Sequence, residues 1–112
     1  MTPTLKPLRF LGTSQDDLRA MPVVVRHAMG VALMTVQFGG MPGDFKPMPT
    51  VGAGACEIRV RDAAGAFRVI YVARFADAIY VLHAFQKKTQ KTAKLDLELA
   101  AHRYKLIGRH AS

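Results

Sequence analysis

One stretch, Ile79–Thr92, constrains the fold of this chain more than any other. It begins with apolar, strand-forming residues such as Tyr80 and Val81, which favour a packed, pleated surface. It continues into three closely spaced lysines: Lys87, Lys88 and Lys91. Because lysines in a row cannot be buried without a large desolvation cost, we expect a buried strand to end near Gln86 and a cationic rim to begin there. Such a rim is suited to an anionic partner.

The size and composition of the chain predict a single folded domain over residues 1–112. Half of the residues, 50%, are hydrophobic, which is enough to build a core. No apolar run approaches the roughly 20 residues that cross a bilayer, and residues 1–7 lack the pattern of a secretory signal. We therefore expect a cytoplasmic protein without membrane contact. The single cysteine, Cys56, allows neither an internal disulfide nor a cysteine metal cluster, and no cofactor is predicted.

The charge balance narrows the possible partners. The chain carries a net charge of +8, and most of its 16 lysines and arginines follow residue 58. A folded basic domain of this size typically binds nucleic acid, an acidic protein or anionic lipid. An isolated run of charge is usually only a solvated surface, but here the cations fall inside predicted strands and helices, which favours an anion site.

Periodicity and turn residues predict an N-terminal strand followed by two helices, then a three-stranded meander and one C-terminal helix. The predicted strands are Lys6–Leu11, Ala55–Arg61, Ala66–Phe75 and Ile79–Gln86.

Three features set the predicted helix starts. Ser14 and Asp17 form a capping-box pattern, and Pro22 is suited to open the second helix. Thr92 is the expected N-cap of the last helix, which should run to Gly108. The intervening segment Gly40–Gly54 is rich in glycine and proline and is predicted to be a loop. Lys46 in this loop is a candidate ligand contact.

The alternation of side chains along the meander predicts a shared cationic face. A four-residue loop at Asp62–Gly65 places Arg59 directly opposite Arg68. With an even-numbered connection at residues 76–77, the next strand places three further pairs opposite each other: Arg68 with Phe85, Ile70 with His83, and Ala66 with Lys87. An odd-numbered connection would remove His83 from this face. The predicted face therefore holds Arg59, Arg61, Arg68, His83, Phe85 and Lys87.

These side chains suit RNA. Guanidinium groups bind phosphate in a bidentate manner, an aromatic ring stacks on a base, and histidine transfers protons near neutral pH. RNA is cut without metal when its own 2′-hydroxyl attacks the adjacent phosphorus, provided that the enzyme supplies proton transfer and positive charge. Glu57 and His83 are the nearby candidates for proton transfer, although a lone histidine on an apolar strand is more often a hydrogen-bonded core residue.

Three segments, Gly54–Arg61, Phe67–Tyr71 and Leu82–Thr92, resemble the RelE/ParE toxin superfamily, and in particular its HigB-like, phage-associated branch. The resemblance implies a small α+β, RelE-like fold, in which the N-terminal strand and the meander form a mostly antiparallel sheet with helices packed on one side of it. It also implies the toxin half of a type II toxin–antitoxin pair. Many members cut messenger RNA in the ribosomal A site without a metal and leave a cyclic phosphate. The C-terminal tyrosine or histidine that serves as acid or base in some branches has no clear counterpart here.

The resemblance also implies the partners and the site residues. The expected partner is a helix-turn-helix antitoxin encoded nearby, and operator DNA is bound only through the antitoxin complex. Two alternatives stay open: a ParE-like toxin that acts on DNA gyrase, and a basic nucleic-acid-binding module without toxicity. The predicted catalytic residues are Arg59, Arg61, Arg68, Lys87 and His83, and the predicted RNA contacts are Lys88, Lys91, Phe85 and Lys46.

Overall fold

The structure is a computed structural model that describes residues 5–108. Its helices are α1 (Ser14–Arg19), α2 (Val23–Gln37) and α3 (Lys94–Ile107). Its strands are β1 (Leu8–Phe10), β2 (Phe45–Pro47), β3 (Ala55–Asp62), β4 (Gly65–Val72) and β5 (Ile79–Lys87). The predicted α+β class, with two helices before the meander and one after it, is confirmed. None of the helices within the described residues is long and apolar enough to cross a membrane.

The sheet differs from the prediction at both edges. It has five strands in the order β1-β5-β4-β3-β2. β1 pairs with β5 in parallel, so the sheet is mixed. β2 lies in the segment that was predicted to be a loop and pairs with the edge of β3, placing Lys46 opposite Glu57. β2 was missed because three residues that include a proline carry no strand periodicity.

All three predicted helix starts are wrong by one residue. Pro22, predicted to be the first residue of α2, is its N-cap. Thr13, not Ser14, is the N-cap of α1, and its hydroxyl donates to Asp17 Oδ2 at 2.7 Å. The Ser14 hydroxyl is buried and donates instead to the carbonyl of Val81 at 3.2 Å. At α3 the N-cap is Ala93, because the Thr92 hydroxyl is used in a contact with β3.

Apolar layers cover both faces of the sheet, so the expectation that the helices pack on one side of it is wrong. On one face α2 packs on β3, β4 and β5, and the buried residues of this layer include Met29, Leu33, Ile58, Val69 and Val81. On the other face α3 packs on Ile70, Val72 and Leu82 through Ala100 and Ile107. α3 covers only part of this second face. The side chains at the even-numbered positions at the start of β4 and at the odd-numbered positions of β3 point to the same face, outside the part that α3 covers.

The predicted strand register is confirmed, although the reason given for it is wrong. Arg59 pairs with Arg68, Arg68 with Phe85, Ile70 with His83, and Ala66 with Lys87. Nearer the turn, Tyr71 pairs with Val81 and Val72 with Tyr80, so an odd number of residues connects the strands.

A bulge at Leu82 compensates for the odd-numbered connection, so the residues of β5 that follow it have the predicted partners. Leu82 has no partner in the register, so Leu82 and His83 both lie on the α3 face. A bulge frees backbone groups from the ladder, and here the Leu82 carbonyl accepts a hydrogen bond from Arg103 Nη1 at 2.9 Å. The buried Arg103 of α3 thus stabilises the irregularity that keeps His83 in its predicted position.

Candidate functional site

Three adjoining cavities form a continuous cationic depression on the α3 face of the sheet. The middle cavity, of about 230 Å³, is lined by Asp44, Arg59, Arg61, Arg68 and Lys87. A cavity of about 510 Å³ on the β2 side shares Arg59 and Lys87 with it, and one of about 460 Å³ on the other side shares Arg61, Arg68 and Lys87. We call this depression the basic groove; its cations are Lys46, Arg59, Arg61, Arg68, Lys87, Lys88 and Lys91.

Strand geometry places these cations together. Alternation along β3 directs Arg59 and Arg61 away from the layer that contains Ile58, and the antiparallel register sets Arg68 opposite Arg59. Lys87 ends β5 opposite Ala66, where the open end of the sheet leaves its amine in the groove. All predicted cationic site residues therefore line the basic groove.

Arg68 forms an ion pair with the buried carboxylate of Glu57. Both residues are almost fully buried, with Glu57 2% and Arg68 4% exposed. Arg68 Nε lies 3.3 Å from Glu57 Oε1 in an ion pair that lacks hydrogen-bond geometry, and Arg68 Nη1 donates to the carbonyl of Phe67 at 3.0 Å. The Thr92 hydroxyl donates to Glu57 Oε2 at 2.7 Å. Glu57 thereby links the central arginine to the segment that carries Lys88 and Lys91.

Arg59 is paired at the surface. Its Nε donates to Asp44 Oδ1 at 3.1 Å, and both side chains are exposed. Facing arginines repel each other across a strand pair. Here Glu57 pairs with Arg68 and Asp44 pairs with Arg59, so the chain itself offsets part of this repulsion. A bound polyanion is therefore not required to hold Arg59 and Arg68 together, but seven cations still face only these two carboxylates in the groove.

Desolvation, together with the crowding of like charges, changes the acid–base properties of the groove. Desolvation, followed by the neighbouring Arg68, lowers the pKa of Lys87 below its usual value, and Glu57 opposes the effect. Burial likewise lowers the pKa of Arg68, while Glu57 raises it. Lys87 is thus a cation that gives up its proton more readily than an ordinary lysine, at the point where the three cavities meet.

His83 and Phe85 lie on the predicted face but do not line the basic groove. His83 Nε2 lies 2.7 Å from Asp96 Oδ1 of α3, and the ring is stacked on Phe85 at 4.6 Å between centroids. Both rings line a separate cavity of about 370 Å³ beside α1. This geometry favours a role for His83 in docking α3; its catalytic role and the RNA contact of Phe85 stay predictions.

Three residues of the groove could not be recognised from sequence patterns. Asp44 and Gln90 lie in loops without a recognisable motif, and Thr92 matched a helix cap better than a carboxylate partner. The pairing of Lys46 with Glu57 through β2 is what brings the first loop to the groove. Within residues 5–108, no cluster of three histidine, cysteine or acidic side chains is arranged to hold a metal ion.

The groove therefore has the positive charge to accommodate anionic groups, with Arg61, Arg68 and Lys87 at its centre. Guanidinium groups bind phosphate oxygens with defined geometry, so phosphate is a chemically suitable ligand for it.

Comparison with known proteins identifies the family. A search of the curated proteins found no match. The model of the family described as phage-derived Gp49-like protein (DUF891) matches residues 16–105, which include most of α1, all of α2, every strand from β2 onward and nearly all of α3. This family is part of the RelE/HigB-like toxins, in agreement with the resemblance of the strand motifs. The chain thus belongs to the phage-derived Gp49-like family of RelE/HigB-like toxins.

Proposed function

We propose that this protein is the toxin of a type II toxin–antitoxin system and acts in the cytoplasm as a ribosome-dependent, metal-independent messenger RNA endonuclease. Family membership supports the toxin assignment in general. The observation that carries the reaction is the convergence of Arg59, Arg61, Arg68 and Lys87 on one cavity of about 230 Å³. This cavity is large enough for a phosphate group and its attached oxygens.

The proposed reaction is an internal transfer at phosphorus. The 2′-hydroxyl of the RNA gives its proton to water and attacks the adjacent phosphorus, the bond to the 5′-oxygen breaks, and this oxygen takes up a proton. The products are a 2′,3′-cyclic phosphate and a 5′-hydroxyl. Negative charge builds up on the phosphoryl oxygens in the transition state, where Arg61 and Arg68 stabilise it. Removing one such donor typically lowers the rate about 10²–10³-fold.

Lys87 is the proposed proton donor to the leaving 5′-oxygen. Its amine lines the central cavity together with the arginines, and its pKa is lowered by desolvation and by Arg68. A lowered pKa brings a general acid closer to the pH at which it works, which increases its efficiency.

The shape of the groove fits a substrate presented by the ribosome. The outer cavities extend the central one on both sides, with Lys46 and Lys91 on one side and Lys88 on the other. Cations along such a path bind the backbone of a single strand without reading its sequence. The ribosome would then supply the alignment of the 2′-hydroxyl, and alignment alone is worth several powers of ten in rate.

The experiment that tests this proposal compares the wild-type chain with two exposed arginine variants on purified ribosomes programmed with a defined messenger RNA. Arg61→Ala removes a guanidinium from the groove, whereas Arg19→Ala removes one from α1, outside it. We expect codon-phased cuts ending in a cyclic phosphate for the wild type and for Arg19→Ala, and cleavage at least 100-fold slower for Arg61→Ala.

Three results would contradict the proposal. Equal cleavage by Arg61→Ala and Arg19→Ala would separate the groove from the chemistry. Intact transcripts with DNA damage after brief induction would favour the gyrase-directed alternative. Salt-sensitive RNA binding without growth arrest would indicate a binding module without toxin activity.

A further inference from the structure

The outward side of α2 is an apolar surface that neither the core nor the basic groove uses. At about 100° per residue, its exposed apolar positions fall on one side of the helix, opposite the buried Val25, Met29 and Leu33. We call this surface the α2 strip: it consists of Val23, Val24, Val31, Met34 and Phe38, each 53–69% exposed.

The α2 strip is unusual for a surface helix because α2 is apolar on both sides. Its sequence has no acidic residue, and Arg26 and His27 are its exposed ionisable side chains. A helix that is apolar all round is typically buried, and a contiguous exposed apolar patch marks a site of protein association. The exposed leucines of α3 differ, because Lys94, Glu98 and Lys105 alternate with them.

We propose that the α2 strip binds an amphipathic helix of the antitoxin that carries acidic residues beside its apolar face. The inference rests on the toxin–antitoxin assignment of the proposed function and not on its nuclease activity. Membership of a toxin–antitoxin family implies an antitoxin partner. The 15 residues of α2 span about 22 Å, which matches a partner helix of about four turns.

Charge decides between this partner and a second copy of the chain. The protein carries a net charge of +8, and Arg26 lies beside the strip without an acidic residue on α2 to oppose it, while His27 lies within the strip. Two copies joined through α2 would bring two strongly basic surfaces together, which is unfavourable. A partner with carboxylates beside its apolar face can contact the apolar strip and pair with Arg26.

The location of the strip predicts a property of the complex. α2 packs on the face of the sheet that holds Ile58, Val69 and Val81, whereas the basic groove lies on the opposite face. A helix bound to the α2 strip therefore leaves the groove uncovered. The antitoxin complex should still bind a short single-stranded RNA with an affinity within about threefold of that of the free toxin.

The test uses the product of the gene adjacent to this one as the probe. Co-expression with the full chain shows whether a complex forms, and titration of the separated proteins without RNA measures the affinity of each variant. Met34→Glu and Val31→Glu should each weaken the complex at least tenfold, because each places a carboxylate in an apolar contact and close to the acidic residues of the partner helix. Met34→Lys should weaken it less than Met34→Glu. Leu95→Glu, at an exposed leucine of α3, is the matched control and should leave affinity unchanged. Thermal unfolding of each variant verifies its fold.

The outcomes are decisive in either direction. The inference is overturned if the wild-type chain forms no complex, if Met34→Glu binds as tightly as Leu95→Glu, or if the chain alone forms a dimer that Met34→Glu abolishes. It is also overturned if Arg61→Ala weakens the complex tenfold, since the antitoxin would then cover the groove. Loss of RNA cleavage with intact α2 binding would refute the nuclease proposal alone.

Discussion

The two faces of the sheet are covered in different ways, and the difference explains where the site lies. On the α2 face, buried apolar side chains of α2 pack on a layer of strand residues that includes Ile58, Val69 and Val81. On the other face α3 packs on Ile70, Val72 and Leu82, while Arg68, in the same strand, faces an open groove. One part of β4 thus belongs to the core and the other part to the groove, and this places a charged side chain in a nearly buried position. That charge needs a partner within the chain, and Glu57 supplies it.

The comparison predicts that the groove face is the more sensitive to the loss of a single partner. Arg68→Ala leaves Glu57 buried without its cation, and we expect the free energy of unfolding to fall by about 3–5 kcal/mol. Ile58→Val on the α2 face should cost only about 0.5–1.5 kcal/mol. Urea denaturation of both variants measures the difference; equal losses would show that the ion pair is not what distinguishes the two faces.

A double variant separates stability from function at the same place. Glu57→Leu combined with Arg68→Met removes the charges together, and apolar replacement of a buried pair is often neutral or stabilising. We expect most of the stability lost in Arg68→Ala to return, while RNA cleavage stays at least 100-fold reduced because the central guanidinium is absent. Recovery of cleavage together with stability would assign Arg68 a structural role only.

The second prediction concerns the bulge. Arg103→Leu removes the donor to the Leu82 carbonyl and leaves a buried acceptor unpaired, which typically costs about 1–3 kcal/mol. His102→Leu, at an exposed neighbour on α3, is the control and should change stability by less than about 0.5 kcal/mol. Hydrogen exchange at β5 localises the effect: protection should drop around Leu82 and persist in the β3–β4 hairpin. Uniform loss of protection would contradict a local role.

The third prediction concerns the contact between Glu57 and the segment after β5. Thr92→Val keeps the shape of the side chain but removes the donor to Glu57 Oε2, and we expect a loss of about 1–2 kcal/mol in the free energy of unfolding. Thr50→Val changes an exposed hydroxyl on the same cavity and should cost less than about 0.5 kcal/mol. Indistinguishable denaturation curves would show that Thr92 does not anchor the segment.

The sequence predicted the part of the site that depends on alternation along strands. The pairing of Arg59 with Arg68 follows from strict period two and from a short hairpin, whose Gly65 has the expected positive φ of 136°. Both properties are local, so they can be read from neighbouring residues. Lys87 also lies beside the arginines as predicted, but only because the bulge at Leu82 compensates for a connection with an odd number of residues, which the prediction took to be even.

The parts that were missed depend on contacts between distant segments. The bulge is stabilised by Arg103, 21 residues beyond the carbonyl that it contacts, and β2 is defined only by the edge of β3 on which it pairs. Thr92 matched a helix cap because its carboxylate partner lies 35 residues away in the chain. Local propensity contains no information about such partners, so the expected parity of the turn, the loop and the cap were all wrong.

The smallest expected effect on stability, and the most specific test of the groove, concerns Lys87. Because desolvation and Arg68 lower the pKa of Lys87, its amine loses its proton at a lower pH than an ordinary lysine does. Binding of a short RNA should therefore weaken as the pH rises through this lowered pKa, below the usual range of lysine. Lys87→Arg retains the cation at every accessible pH, so its affinity should stay flat over the same range while its fold is unchanged. Lys94→Arg, on the first turn of α3 and outside the groove, is the control and should keep the wild-type profile. Parallel pH profiles for the wild type and Lys87→Arg would show that Lys87 does not titrate in the groove and would remove it from the role of proton donor.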